Sequence, residues 1–262
     1  MALVTSKEYL DSVKKLKPRV YVGGKWVKNL LENPITKSMV MANAAIYDLA
    51  QQPECKEVMV ATSHLTGEPI NRNLNVARNI HDLDMRQEMA LLSSQTVGTC
   101  NYRCVGCDAL NALASTTWEM DRDLGTKYNE RFNNWLKMVQ SKDLAVSGAI
   151  TDAKGDRKKR PSQQEDRDVF LHLVEKRDDG IVVRGYKVSQ SGAMPPWHEA
   201  RIRSGNSCPA TSAADLPTAR RGSVPTPGHP AAPPLLARRP GRRHVQCARR
   251  PAPWRDRVDA DR

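Results

Sequence analysis

Residues 96–112 read TVGTCNYRCVGCDALNA and hold three of the six cysteines, Cys100, Cys104 and Cys107. If the segment is helical, spacings of four and then three residues place the thiols on one face. Such a face presents two or three thiolates to a single soft metal centre. The plain alternative is helix packing, because free cysteine is among the most buried residue types. The surrounding chain has to decide between these readings.

Upstream, Thr5-Ser6-Lys7-Glu8 has the form of a capping box, and Tyr9, Leu10, Val13 and Leu16 continue it as a helical stripe. The run RVYVGGKWVK at 19–28 predicts a small hairpin turning at Gly23-Gly24. Helical periodicity returns over 38–51 and over 75–92, the latter with Val76, Ile80, Leu83 and Met89 among its apolar positions, and between them a polar stretch, TSHLTGEPINRN at 62–73, reads as a loop. Downstream, the cysteine segment opens a helix that continues to about Asp121, broken by Leu124-Gly125-Thr126. A second amphipathic helix follows through Tyr128, Phe132, Trp135, Leu136 and Val139. Residues 147–164 read as an ordered loop rich in Gly, Asp and Lys. The runs at 168–176 and 180–188 read as two strands joined by RDDG at 177–180.

The sequence has two compositional parts. Residues 193–262 contain 12 of the 17 prolines and 13 arginines but no Lys, Tyr or Phe, and they carry net charge +8. Residues 1–192 carry only +4 of the +12 total, so the basic character does not mark the folded part as a nucleic-acid binder. The tail reads as a Pro/Arg-rich segment, disordered or the product of a frameshift, with nonspecific nucleic-acid contact as its one basic-partner option. No stretch approaches the roughly 20 apolar residues of a membrane span. Lys7, Glu8 and Asp11 interrupt any apolar run of a signal peptide. The chain therefore reads as cytoplasmic, with no membrane partner, and the clustered cysteines as free thiolates or metal ligands rather than disulfides.

Cys100-x3-Cys104-x2-Cys107 has the spacing of a radical-SAM cluster motif, but its context differs. Gly106 stands where that motif usually has an aromatic residue, mainly helical sequence precedes it, and no Gly-Gly-Glu follows. A longer set of matches points elsewhere. These are R-V-Y at 19–21, I-N-R at 70–72, C-x-x-R-C-V-G at 100–106, D-A-x-N-A at 108–112 and S-T-T-x-E at 115–119. The set continues with G-A-x-T-D-x-K-G-D-R at 148–157, V-E-K-R-x-D-G-I-V-V-R-G at 174–185 and Q-x-G at 190–192. Through these, residues 1–192 resemble the N-terminal portion of the 4-hydroxybutyryl-CoA dehydratase/vinylacetyl-CoA Δ-isomerase family, within the 4-hydroxyphenylacetate 3-hydroxylase superfamily.

The resemblance implies an α+β, acyl-CoA dehydrogenase-like fold. A helical domain is expected over 1–145 and the start of a flavin-binding β-barrel domain over 146–192, with the C-terminal helical bundle missing. It implies FAD and a [4Fe–4S] cluster as cofactors, an acyl-CoA substrate and a homotetrameric family. Cys100 and Cys104 match the first two cluster ligands, whereas Cys107 matches none and is expected to be a bystander. Thr151, Asp152, Lys154, Gly155, Asp156 and Arg157 match a flavin-binding loop. In it Gly155 permits close backbone approach, and Lys154 and Arg157 meet phosphate charge. Gln190, Ser191 and Gly192 match a second flavin contact, with Ser191 standing where the dehydratases have Thr.

The implied chemistry is loss of water from 4-hydroxybutyryl-CoA to give crotonyl-CoA, together with isomerisation of vinylacetyl-CoA to the same product. Flavin one-electron chemistry acidifies the β-hydrogen, and the cluster acts as a Lewis acid toward the leaving hydroxyl. The catalytic His, Tyr and Glu and the remaining His and Cys ligands find no matching motif here. The chain is therefore expected to be a truncated, inactive form that exposes apolar faces and self-associates. The alternatives are a flavin-dependent aromatic hydroxylase of the same superfamily, which needs no cluster, and a non-catalytic fragment with a basic tail.

Overall fold

The computed structural model describes residues 3–16, 18–99, 103–146, 149, 151–178 and 180–188. Cys100, Gln190, Ser191, Gly192 and the whole 193–262 tail lie outside the described residues, as do the expectations placed on them.

Local chemistry sets most boundaries. Helix α1 (Ser6–Lys15) starts at the expected capping box: the Thr5 hydroxyl accepts from the Glu8 backbone N–H, and the Glu8 carboxylate accepts from that of Thr5. Strands β1 (Val20–Val22) and β2 (Lys25–Val27) form the predicted antiparallel hairpin. Gly23 and Gly24, at φ 56° and 77°, make the turn in the left-handed region that glycine tolerates. Helix α2 (Pro34–Gln51) begins four residues earlier than its periodicity indicates, since the Asn33 side chain accepts from the N–H groups of Ile35 and Thr36 and Pro34 occupies the first turn.

The polar 62–73 stretch is not simply a loop. After a short helix, α3 (Lys56–Met59), strand β3 (Val60–Thr62) pairs antiparallel with β4 (Pro69–Asn71), and a single helical turn covers Arg72–Leu74. Burial explains the discrepancy. Asn71, Arg72 and Asn73 are buried polar residues: Arg72 donates to the carbonyls of Val58, Glu57 and Val60, and Asn73 donates to the Asn71 side chain, an arrangement that no hydrophobic period can announce.

Helix α4 (Ile80–Val97) starts five residues after the expected position and ends at Gly98 with φ 70°. Its N-cap is Asn79, whose side chain accepts from Asp82 N–H at 2.8 Å. Two residues taken from sequence as its apolar stripe, Ile80 and Leu83, are exposed, at 78% and 48%. Met89 is buried as expected.

Helices α5 (Cys104–Leu124) and α6 (Tyr128–Ser141) pack against each other across the predicted break, where Gly125 takes φ 63°. Asp121 fastens the joint by accepting from Tyr128 N–H at 2.7 Å, Asn129 N–H at 2.9 Å and the Thr126 hydroxyl at 2.6 Å. Beyond the helices, β5 (His172–Arg177) and β6 (Gly180–Arg184) form an antiparallel hairpin. Strand β5 begins four residues later than the apolar run, because Arg167–Val169 is a short helical turn.

Three buried clusters hold the helical part together: one under α1 and the β1–β2 hairpin, one between α2, α3 and α4, and one between α5 and α6. The result is mixed α and β, with the helices first and the longest hairpin last. After α6, the β structure of the described residues is the β5–β6 hairpin and an isolated bridge between Asp152 and Lys187. No helix of the described residues is long and apolar enough to cross a membrane.

Candidate functional site

The cysteine helix is positioned from its first turn. Cys104 is the first residue of α5 and is partly exposed, whereas Cys107, one turn on, is 2% exposed. Neither is in a disulfide, whereas Cys55 is buried and disulfide-bonded. Burial pushes the Cys107 thiol up, and the guanidinium of Arg86, which hydrogen-bonds the sulfur, opposes that shift together with Arg103. Arg86 is itself paired with Asp108 on the next residue of α5. Cys107 is thus a desolvated thiol facing Arg86 of α4.

Arg103, immediately before Cys104, was not singled out from sequence, yet it is among the largest fully buried side chains, at 1% exposure. Its guanidinium lies over the Tyr47 ring, 4.8 Å from the centroid. It approaches the Leu144 carbonyl at 3.4 Å and the Asp143 carboxylate at 3.7 Å. Asp143 has φ 44°, uncommon for a residue other than glycine. Its carbonyl accepts from the Tyr47 hydroxyl at 2.9 Å, and its carboxylate accepts from Val4 N–H at 3.1 Å. Burial raises the pKa of Asp143, with Arg103 opposing, and burial likewise raises that of Tyr47. The Tyr9 ring stacks on Tyr47 at 4.9 Å.

Gly106 closes the same contact. A Cβ there would overlap the Val146 carbonyl oxygen, so α5 lies backbone to backbone on the segment that follows Asp143. One turn further, the Asn111 side chain accepts from Ala77 N–H at 2.9 Å and donates to the Cys107 carbonyl at 2.9 Å.

The flavin-loop candidates sit in a different setting. Thr151, Asp152, Lys154, Gly155, Asp156 and Arg157 all face solvent. The Thr151 carbonyl accepts from Val188 N–H at 2.9 Å, and Asp152 pairs with Lys187 at 2.5 Å, which ties the loop to the strand end. Gln164 organises the rest: its oxygen accepts from Asp156 N–H at 2.8 Å, and its amide donates to the carbonyls of Asp156 and Lys159. Gly155 is closely packed on the side where a Cβ would stand. A Cβ on Gly155 would meet Gln164 Oε1 at 2.6 Å and the Phe170 ring at 3.0 Å, so the loop's own side chains fill that space.

A cleft of about 850 Å³ opens between the C-terminal end of α2, the β3–β4 hairpin and the start of α4. Arg72 forms part of its floor, donating to the carbonyls of Val58, Glu57 and Val60. His64 at the rim has its pKa lowered by burial and then by the nearby Arg78. No spacing signal in the sequence marks this cleft.

Residues 5–204 match the family described as 4-hydroxyphenylacetate 3-hydroxylase N terminal. The chain belongs to that family. Among curated members of the 4-hydroxyphenylacetate 3-hydroxylase family, it is 44% identical over 192 residues to the 4-hydroxybutyryl-CoA dehydratase/vinylacetyl-CoA Δ-isomerase of Clostridium aminobutyricum, covering 73% of this chain and 39% of that protein. It is 30% identical over 198 residues to the oxygenase component of 4-hydroxyphenylacetate 3-monooxygenase from Geobacillus sp. (strain PA-9), covering 72% of this chain and 38% of that one.

Among solved structures of the family, an oxygen-tolerant archaeal 4-hydroxybutyryl-CoA dehydratase from N. maritimus superposes with a TM-score of 0.68 and 39% identity, over 72% of this chain and 37% of its own. The HpaB oxygenase complexed with FAD and 4-hydroxyphenylacetate, at 24% identity and a TM-score of 0.58, shares the fold. The chain thus spans less than two fifths of the length of these relatives.

Proposed function

We propose that these residues form the N-terminal part of a flavin- and iron–sulfur-dependent dehydratase that converts 4-hydroxybutyryl-CoA to crotonyl-CoA and isomerises vinylacetyl-CoA. The observation that carries the reading is the 44% identity over 192 residues to the clostridial dehydratase, against 30% to the monooxygenase component. The partly exposed thiol of Cys104 at the start of α5 supports it, since a flavin hydroxylase has no need of a thiolate there. The domain division we adopt is helical over 1–145 with a flavin-binding β part from 146.

The donor chemistry suits the two cofactors unequally. Lys154 and Arg157 are exposed cations on a short loop, and with the Thr151 hydroxyl they fit the phosphate and ribityl groups of FAD. Asp152 is held by Lys187 and shapes the loop. For a cluster, Cys104 is the one described thiol suited to ligation, because Cys107 is buried against Arg86. Among the described residues no three His, Cys, Asp or Glu side chains gather around one point. Flavin supplies one-electron redox chemistry when bound. This chain's residues contribute a fixed thiol, a phosphate-facing loop and a rigid helical frame. The acyl-CoA substrate, the homotetramer and a cytoplasmic setting belong to the same proposal.

Titration of FAD into the chain, followed by flavin fluorescence, tests the loop. Saturable binding that weakens when Lys154 and Arg157 are both changed to Ala is expected, and no saturable binding overturns the assignment. Anaerobic reconstitution with iron and sulfide separates dehydratase from hydroxylase. Bound iron that is lost in Cys104→Ser supports the first, and absence of iron leaves the second.

A further inference from the structure

The sequence C-N-Y-R-C-V-G-C contains a charge where a helix start would ordinarily carry a polar cap. Arg103 occupies the N-cap position of α5 in a helical conformation, φ −107° and ψ −7°, and its side chain makes no capping hydrogen bond. The usual device for starting a helix, a Ser, Thr, Asp or Asn oxygen accepting from the first turn, is therefore absent at α5. In its place a guanidinium is driven into the core. Burying a cation costs several kcal/mol before its partners offset it, so such a residue is poor material for stability alone.

Three segments distant in sequence converge on it: Tyr47 from the middle of α2, Asp143 and Leu144 from the turn after α6, and Val4 through the Asp143 carboxylate. Independently, Gly106 lets the backbone of α5 rest on the Val146 carbonyl, which limits both the height and the rotation of the first turn. The two residues flank Cys104 at one position before and two after. Both anchors face the 143–146 segment, while Cys104 between them keeps solvent exposure.

We infer that Arg103 and Gly106 are positioning residues that fix the Cys104 thiol, the first by a guanidinium wedged between Tyr47 and Asp143, the second by backbone contact with Val146. The inference rests on the proposed role of Cys104 as a ligand. Their work is to set where the sulfur stands. The same two contacts explain the R-C-V-G pattern, in which each of Arg and Gly has a defined neighbour.

The experiment uses the full reduced chain without iron. Cys104 and Cys107 alkylation by iodoacetamide is followed by peptide mass spectrometry in the wild type, R103K, Y47F and G106A. R103K keeps the charge and loses the planar fork, and Y47F removes only the hydroxyl that holds the Asp143 carbonyl, so a milder variant remains if another folds poorly. Cys107, in the same helix but buried, is the internal control for general loosening. The expected result is Cys104 alkylated at least fivefold faster in R103K and G106A, and less so in Y47F, with Cys107 still protected. Unchanged Cys104 rates in folded variants overturn the inference, and so does a parallel rise at both cysteines, which would mark a merely structural role. Iron content after reconstitution is read separately. A wild type that holds no iron defeats the ligand reading of Cys104 while leaving the labelling result to stand for or against the positioning.

Discussion

The two candidate sites of this chain are built in opposite ways. The start of α5 is locked from beneath by its own Arg103 and Gly106, whose partners Tyr47, Asp143 and Val146 come from segments far away in sequence. The 151–157 loop is held from its own neighbourhood, by Gln164 inside the loop and by Lys187 across an isolated bridge, and its polar groups face water. On the proposed roles, a thiol that meets a metal at fixed geometry gains from pre-organisation, whereas a loop that meets a flexible phosphate chain needs exposed donors more than rigidity.

Breaking the pairing beneath α5 should have the largest effect. Asp143→Ala strands a buried guanidinium and an N–H of Val4, for an expected loss of about 3–5 kcal/mol measured by urea unfolding. The same carboxylate carries a pH signature. Its folded pKa is raised above the ordinary 3.8, so its contribution to stability is full below that value and is lost as pH rises through the folded pKa. Relative to Asp143→Asn, the wild type should therefore gain stability as pH is lowered from neutrality toward 4, and parallel urea midpoints would contradict the assignment. Gly106→Ala comes next, at about 1–3 kcal/mol, because the added methyl must push α5 off Val146.

Effects in the loop should be smaller and local. Gln164→Ala leaves an N–H and several carbonyls to find water, about 1–2 kcal/mol if felt globally, and should show chiefly as faster proteolysis within 154–164. Lys187→Ala, removing a half-exposed ion pair, should change global stability by less than about 1 kcal/mol. If Lys187→Ala destabilised the chain as much as Asp143→Ala, the contrast between the two sites would collapse.

Local grammar carried a good part of this structure. The Thr5–Glu8 capping box, the Gly23-Gly24 turn, the break at Gly125 and the β5–β6 hairpin were all legible from residue type and period. Where reading failed, the residues were polar and buried. Asn71-Arg72-Asn73 looked like loop because its hydrogen-bond partners, such as the carbonyls of Val58 and Val60, are reached only after folding. Ile80 and Leu83 looked like a core stripe and proved exposed, since periodicity reports a face without saying what lies opposite. The close packing of Gln164 and Phe170 beside Gly155 was not legible either.

The sequence by itself determined that this chain carries a cysteine-bearing helix inside a helical region followed by a β hairpin, and it pointed to a family through collinear motifs that run to residue 192. It could do so because caps, turns and short motifs are local and repeat the same chemistry wherever they occur. Only the tertiary structure decided that Arg103 is buried, that Cys107 is a desolvated thiol held by Arg86, and that Gly106 is required by Val146. Those roles depend on which surfaces meet across separations from 21 residues, Arg86 to Cys107, to 56, Tyr47 to Arg103, and a side chain's charge or size does not state what it will face.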